Sequence, residues 1–231
     1  MKRIPKEIEK QIIELRNEGF TTAHLMEKFN LTHRDIEGVI AKHRKKKGTY
    51  NLDHIEEKYT VNAELFEEVK PETVLDLFCG TGRFWYTNYS DKARVIDNDT
   101  EKNIPCLLHC DALELLRLFK KMGTTFDIVD VDPYGCSGEY IELAIQVAKK
   151  ALVITDGSIK KVFRTPNLCK GFMQNHYGID KPLKRDAFND VIEHIIKVAH
   201  EKYHKRLTVF TYLPKWKACD RVWFTIEEED N

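Results

Sequence analysis

Apolar residues recur along this chain with two different periods. Over residues 1–48 they fall three and four apart, the spacing of one face of a helix. Ile8, Ile12, Ile13 and Leu15 make a first stripe that Gly19 ends, and Thr21 and Thr22 open a second helix reaching Phe29. Thr32 caps a third helix over residues 35–45, with Ile36, Val39 and Ile40 turned inward. From residue 71 the pattern changes to short unbroken apolar runs at 73–79, 93–97, 126–131 and 151–156, of the kind buried on both faces of a parallel sheet. Helical spacing returns between and after them, at 113–121, at 137–150 with Ile141, Ala144, Ile145 and Ala148, and at 186–203 with Phe188, Val191, Ile192, Ile195, Ile196 and Ala199. Two last runs, 207–213 and 221–226, predict an antiparallel hairpin that closes the sheet. One stretch fits poorly: seven residues separate Asp97 from an apolar run starting at Pro105. A parallel crossover takes at least ~10–12. Either the helix there is reduced, or that run is not a third strand.

The predicted architecture is α/β, a mainly parallel sheet with antiparallel carboxy-terminal strands, preceded by a small all-α module. Residues 1–48 form the module, 49–70 a linker and 71–231 the sheet domain. A length of 231 residues suffices for one good-sized α/β core plus this appendage. The formal net charge of zero hides a polarity: residues 1–48 hold twelve Lys and Arg against seven Asp and Glu, which leaves 25 against 30 in the rest. Apolar runs fall far short of the ~20 residues of a membrane span, and Met1-Lys2-Arg3-Ile4-Pro5 opens no signal pattern. A cytoplasmic protein with no membrane partner is expected. Cys79, Cys106, Cys110, Cys136, Cys169 and Cys219 contain no Cys-x-x-Cys pair and read as reduced thiols, several inside apolar strands. Cys106, His109 and Cys110 are not expected to converge on a metal, because strand neighbours point to opposite faces.

Candidate chemistry lies where the apolar runs end. Asp76-Leu77-Phe78-Cys79 runs into Gly80-Thr81-Gly82, a turn that lets backbone pass close to a ligand at the carboxyl edge of a sheet. Asp97 is followed by Asn98-Asp99, which offers a carboxylate suited to two ribose hydroxyls, and Asp111-Ala112 puts a third acid before the helix at 113–121. A dinucleotide fingerprint would need a third glycine, but Arg83-Phe84-Trp85 follows instead, so nicotinamide and flavin are disfavoured. The run at 126–131 ends in Asp132-Pro133-Tyr134-Gly135. That is an acceptor for an exocyclic NH2, a rigid proline, an aromatic face for stacking and a glycine for close approach. Alone, such a tetrapeptide is more often only a turn. The acids upstream give it weight.

Residues 76–82, 97–99, 111–112 and 130–135 together resemble the class I S-adenosylmethionine-dependent methyltransferases. Within that class, Asp130-Val131-Asp132-Pro133-Tyr134-Gly135, the strand ending in Thr155-Asp156 and the pair Asn98-Asp99 are most similar to the tRNA guanine-N2 dimethyltransferases. The likeness covers roughly residues 70–226 and is specific around Asp132. It implies a Rossmann-like sheet and S-adenosylmethionine as cofactor. Asp76, Phe78, Cys79, Gly80, Thr81 and Gly82 would then flank the methionine end, Asp97 or Asp99 the ribose, and Asp111 and Ala112 the adenine. Asp132 would border the cofactor and hold the target amine, with Pro133 and Tyr134 beside it as the catalytic group.

Residues 19–32 resemble the helix-turn-helix modules of recombinases and small regulators, and Arg34, Lys42, Arg44, Lys45, Lys46 and Lys47 suit phosphate contacts. A packing or dimerisation bundle needs the same apolar spacing and stays open as an alternative. The irregular stretch 157–184, with Lys160, Lys161, Arg164 and Lys170, reads as a substrate-facing loop in which His176 and Tyr177 reach a base. The combined expectation is an N-methyltransferase acting on an exocyclic amine of a nucleic-acid base, RNA ahead of DNA and guanine N2 of tRNA first. Two alternatives stand beside it. One is a DNA adenine or cytosine amino methyltransferase, whose usual Asp-Pro-Pro-Tyr order is absent here. The other is a helix-turn-helix regulator that senses a small molecule without turnover.

Overall fold

Val74, Ile128 and Val153 face one side of a central sheet while Leu75, Val129 and Leu152 face the other, the period-2 alternation of strands covered on both sides. The computed structural model describes residues 4–17, 22–32, 35, 36, 39, 55–133, 135, 138–163, 171–184, 186–213 and 219–228. The chain divides into two units, Met1–Leu52 and Asp53–Asn231.

In the first unit, α1 (Lys6–Asn17) and α2 (Thr22–Phe29) bury Ile12 and Leu25 together with Ile36 and Val39. Thr32 and Asp35 make a reciprocal cap: the Asp35 amide donates to Thr32 Oγ1 at 3.2 Å and the Thr32 amide donates to Asp35 Oδ2 at 3.3 Å. The helix expected at 35–45 thus starts where its cap places it. Most of that helix, with Arg34, Lys42, Arg44, Lys45, Lys46 and Lys47, lies outside the described residues.

The second unit carries a six-stranded sheet of order β2-β1-β3-β4-β6-β5. Its strands are β1 (Thr73–Asp76), β2 (Arg94–Asp97), β3 (Phe126–Val131), β4 (Ala148–Asp156), β5 (Lys205–Leu213) and β6 (Asp220–Glu228). β1 to β4 are parallel, and β6 and β5 run antiparallel as the closing hairpin. One face is covered by α3 (Ile55–Val69) and α4 (Phe84–Tyr89). The other packs under α5 (Ala112–Met122), α6 (Gly138–Val147), α7 (Ser158–Phe163), α8 (Phe172–Tyr177) and α9 (Phe188–Tyr203).

Three expectations need correction and one open alternative is decided. Residues 49–70 are not simply a linker, because α3 packs Val61, Leu65 and Phe66 against the sheet. The run from Pro105 forms no strand: only Leu108 makes a single parallel bridge, to Asn98, so the crossover from β2 to β3 uses α5. α6 ends at Val147, three residues earlier than its spacing suggested, because β4 already starts at Ala148. The stretch 157–184 contains α7 and α8 and buries Met173, Tyr177 and Ile179 in the core.

Candidate active site

The carboxyl ends of β1, β2 and β3 lie side by side in the sheet. After β1 the chain turns at Gly80, whose φ of +56° is a left-handed conformation that side chains resist. The turn is tied to the neighbouring strand end. The Cys79 amide donates to the Asn98 carbonyl at 3.0 Å, and the Gly80 amide donates to Asp99 Oδ2 at 3.1 Å. Asp99 Oδ1 accepts from the Glu101 amide at 2.9 Å, and the residue stays half-buried.

Asp97 differs from Asp99. It is fully buried, with Oδ2 accepting from Arg83 Nε at 2.6 Å and Oδ1 from the Leu107 amide at 2.8 Å, so it braces the loop from behind. Arg83 itself sits at φ +41° with its guanidinium 4.0 Å from the Tyr86 ring. Asn98 does what the missing strand would have done. Its Nδ2 donates to the carbonyls of Leu77 and Cys110, both at 3.1 Å, and its Oδ1 accepts from the Cys110 amide at 2.9 Å. Asp111 is an exposed N-cap of α5 that accepts from the Leu113 and Glu114 amides at 2.9 and 3.0 Å, and Ala112 is buried behind it. Phe78 is half-buried against the edge of Tyr140, and burial, then Asp76, pushes the Cys79 thiol upward. Thr81 and Gly82 are exposed at the tip.

Because this segment is not a strand, Cys106 Sγ approaches His109 Nδ1 to 3.6 Å, contrary to the expectation from alternation. Among the described residues no three metal-ligating side chains gather. Cys79, Cys106, Cys110 and Cys219 are free thiols and none lies within a strand.

Asp132 follows β3 directly, and sheet register assembles its surroundings. Asp76 of β1 lies opposite Asp130 of β3, and Thr155 of β4 lies opposite Arg221 of β6. Arg221 is wholly buried. Its Nη2 donates to Asp130 Oδ2 at 2.7 Å, its Nη1 bonds Thr155 Oγ1 and sits 3.0 Å from Asp132 Oδ2, and its guanidinium lies 5.0 Å from the Trp223 ring. Trp85 Nε1 donates to the same Asp130 oxygen at 2.8 Å. Lys58, reaching down from α3, completes the group with an ion pair to Asp132 Oδ2.

Burial works to raise the Asp132 carboxyl, but Lys58 and Arg221 overcome it and hold the group at about 2. Asp76 goes the other way. Burial, and then Asp130, push its carboxyl well above the ordinary range, only partly offset by Lys58 and Arg221. Gly135 is needed here for closeness, since a Cβ would fall 2.7 Å from Ser158 Oγ. Pro133 is half-buried, and Tyr134 lies outside the described residues. Tyr177, expected to face a base, is instead buried with its hydroxyl donating to Asp156 Oδ2, and His176 stacks on Phe172.

Lys58 and Arg221 were not singled out from the sequence, and Asp130 and Thr155 entered only as parts of a motif, with no role of their own. Asp130 and Arg221 nevertheless left a signal: they are charges set in otherwise apolar strands, and a charge buried there requires a partner.

No protein-family model matches this chain, and no curated protein matches it in sequence. Among solved structures, Trm1 from Pyrococcus horikoshii, in complex with S-adenosyl-L-methionine, matches 74% of the chain with a TM-score of 0.55 and 17% identity. The fold is that of the class I methyltransferases. This chain spans 54% of the length of that Trm1 structure. An O-methyltransferase family protein from Burkholderia thailandensis matches 97% of this chain and 93% of its own at a lower TM-score of 0.47 and 14% identity. Among the described residues no helix is long and apolar enough to cross a membrane.

Proposed function

We propose that the chain is an S-adenosylmethionine-dependent N-methyltransferase that modifies an exocyclic amine of a nucleic-acid base, guanine N2 of tRNA first. The observation that carries this reading is Asp132, an ionised carboxylate immediately after β3 that shares one charge cluster with Asp76 at the base of the glycine loop.

The residues present fit the cofactor. Gly80 lets the main chain approach closely, and each oxygen of Asp99 accepts one backbone amide, which leaves lone pairs for ribose hydroxyls. When bound, the cofactor supplies a methyl group on an electrophilic sulfonium.

The chain's own residues handle the acceptor. A carboxylate held at about 2 is too weak a base to pull a proton from an amine at neutral pH, so Asp132 acts by accepting a hydrogen bond. It turns the amine so that the nitrogen lone pair, delocalised into the base, can point along the line of transfer, and the proton of the methylated, positively charged nitrogen, now strongly acidic, leaves to water. Preference for RNA rests on the resemblance of residues 130–135 to the tRNA guanine-N2 enzymes, and the basic amino-terminal unit is proposed to bind the nucleic acid.

The test is incubation of the protein with methyl-labelled cofactor and total RNA or DNA, followed by mass spectrometry of the nucleosides. N2-methylated guanosine in tRNA is expected. Label confined to DNA adenine or cytosine would move the substrate, and cofactor binding with no label in either pool would contradict the reading in favour of a sensor.

A further inference from the structure

Three carboxyls and two cations meet behind the acceptor position, and only one of the cations is replaceable without dismantling the core. Arg221 is fully buried and divides its single charge between Asp130 and Asp132, while also bonding Thr155. Lys58 forms its ion pair with Asp132, its charge also reaching Asp76, and its side chain is 21% exposed. The groups facing Asp132 are Lys58 from α3, Arg221 from β6, Thr155 from β4, Asp76 from β1 and Asp130 from β3.

Asp130 and Asp132 pair with the two cations, while burial and the neighbouring Asp130 push the Asp76 carboxyl upward, toward its neutral form. Take Lys58 away and one negative charge is left without a partner in a buried cluster. The inexpensive response is for a carboxyl to take up a proton. Once protonated, Asp132 carries an O–H donor and is a weaker acceptor, so it meets the amine N–H with a hydrogen of its own.

We propose that Lys58 is a positioning residue for methyl transfer: its ion pair keeps Asp132 charged and fixed as the acceptor for the target amine. The inference rests on the methyl-transfer reading above. α3 is well placed for the task because it is anchored independently of Lys58. Val61, Leu65 and Phe66 are buried, and Asn62 Oδ1 accepts from Trp223 Nε1 at 2.7 Å. A substitution at residue 58 therefore leaves the helix seated.

The experiment compares the full chain with its Lys58→Met and Lys58→Arg variants by two readouts. Carbon-13 NMR follows the Asp132 carboxyl, assigned with Asp132→Asn, and transfer rates are measured from pH 5 to pH 8. In Lys58→Met the carboxyl titration is expected to move upward by ~1–3 units from its value of about 2. At the upper end of that range about half of the carboxyl is protonated at pH 5, so the rate should fall by up to about twofold there and less at pH 8, with the KM for cofactor unchanged. Lys58→Arg should restore both. A rate loss without the titration shift, the shift without a rate loss, or neither, overturns the role. A parent protein that transfers no methyl group to any RNA or DNA overturns the methyl-transfer reading itself, and the role with it.

Discussion

At Gly80 the backbone holds φ +56° where the loop presents its amide to Asp99. A β-branched residue there is strained by ~1–2 kcal/mol or more and puts methyl groups where a ligand needs close approach. Gly80→Val is therefore expected to abolish binding of S-adenosylhomocysteine in calorimetric titration, while the circular dichroism of the sheet unit is kept. Undiminished affinity would remove the loop from the cofactor site. Residues of this kind were legible in the sequence because their signal is local: a glycine turn after a strand, an acid after the next, an Asp-Pro-x-Gly after a third. Asp97 and Asp99 could not be told apart that way. Their difference lies in which one Arg83 and the Leu107 amide engage, and that depends on the fold. Lys58 and Arg221 were hidden for the same reason, since positions 58, 132 and 221 meet only once helix and strands are packed.

Asp156 links three elements. It ends β4, caps α7 by accepting from the Ser158 amide at 2.6 Å and the Ile159 amide at 3.2 Å, and receives the Tyr177 hydroxyl of α8. Burial raises its carboxyl from 3.8 to about 6 despite those bonds. The folded state thus binds this proton more tightly than the unfolded chain. The corresponding stability is fully present below about pH 4 and is lost as pH rises through about 6, on the order of 3 kcal/mol in all. Asp156→Asn keeps an acceptor for the cap and has no charge to bury. Its stability relative to the parent, from urea unfolding, should rise by about that amount between pH 4 and pH 7, and a difference that stays flat with pH would contradict the account. Strands β1, β2, β3 and β4 and the closing hairpin were readable as elements because both faces of a parallel sheet demand apolar runs. The stretch from Pro105 misled because it has strand composition without a strand's partner: Asn98 supplies the bonds to Leu77 and Cys110 that a ladder would have made. The helix α3 leaves a weak signal in the sequence because its charged face, including Glu56, Glu57, Glu67 and Glu68, is broader than its apolar stripe.

The chain as a whole joins a basic unit to an acidic one, twelve cations against seven anions in residues 1–48 and 25 against 30 beyond. Deleting residues 1–47 is expected to leave S-adenosylhomocysteine affinity intact and to weaken RNA binding. The lost part should be steeply salt-dependent because it arises from released counterions. Equal RNA affinity at low salt in the truncated protein would make the first unit a packing module. At this same scale the proposed division of labour runs along one sheet edge, with Asp99 serving the cofactor and Asp132 the amine. The most direct measurement is paired: S-adenosylhomocysteine affinity and methyl transfer to RNA for Asp132→Ala and Asp99→Ala. Asp132→Ala should cut transfer about a hundredfold or more, on the order of 3 kcal/mol, with cofactor affinity nearly unchanged, whereas Asp99→Ala should weaken cofactor binding first. An Asp132→Ala protein that methylates at the parent's rate, or one that loses cofactor binding along with transfer, would contradict the account.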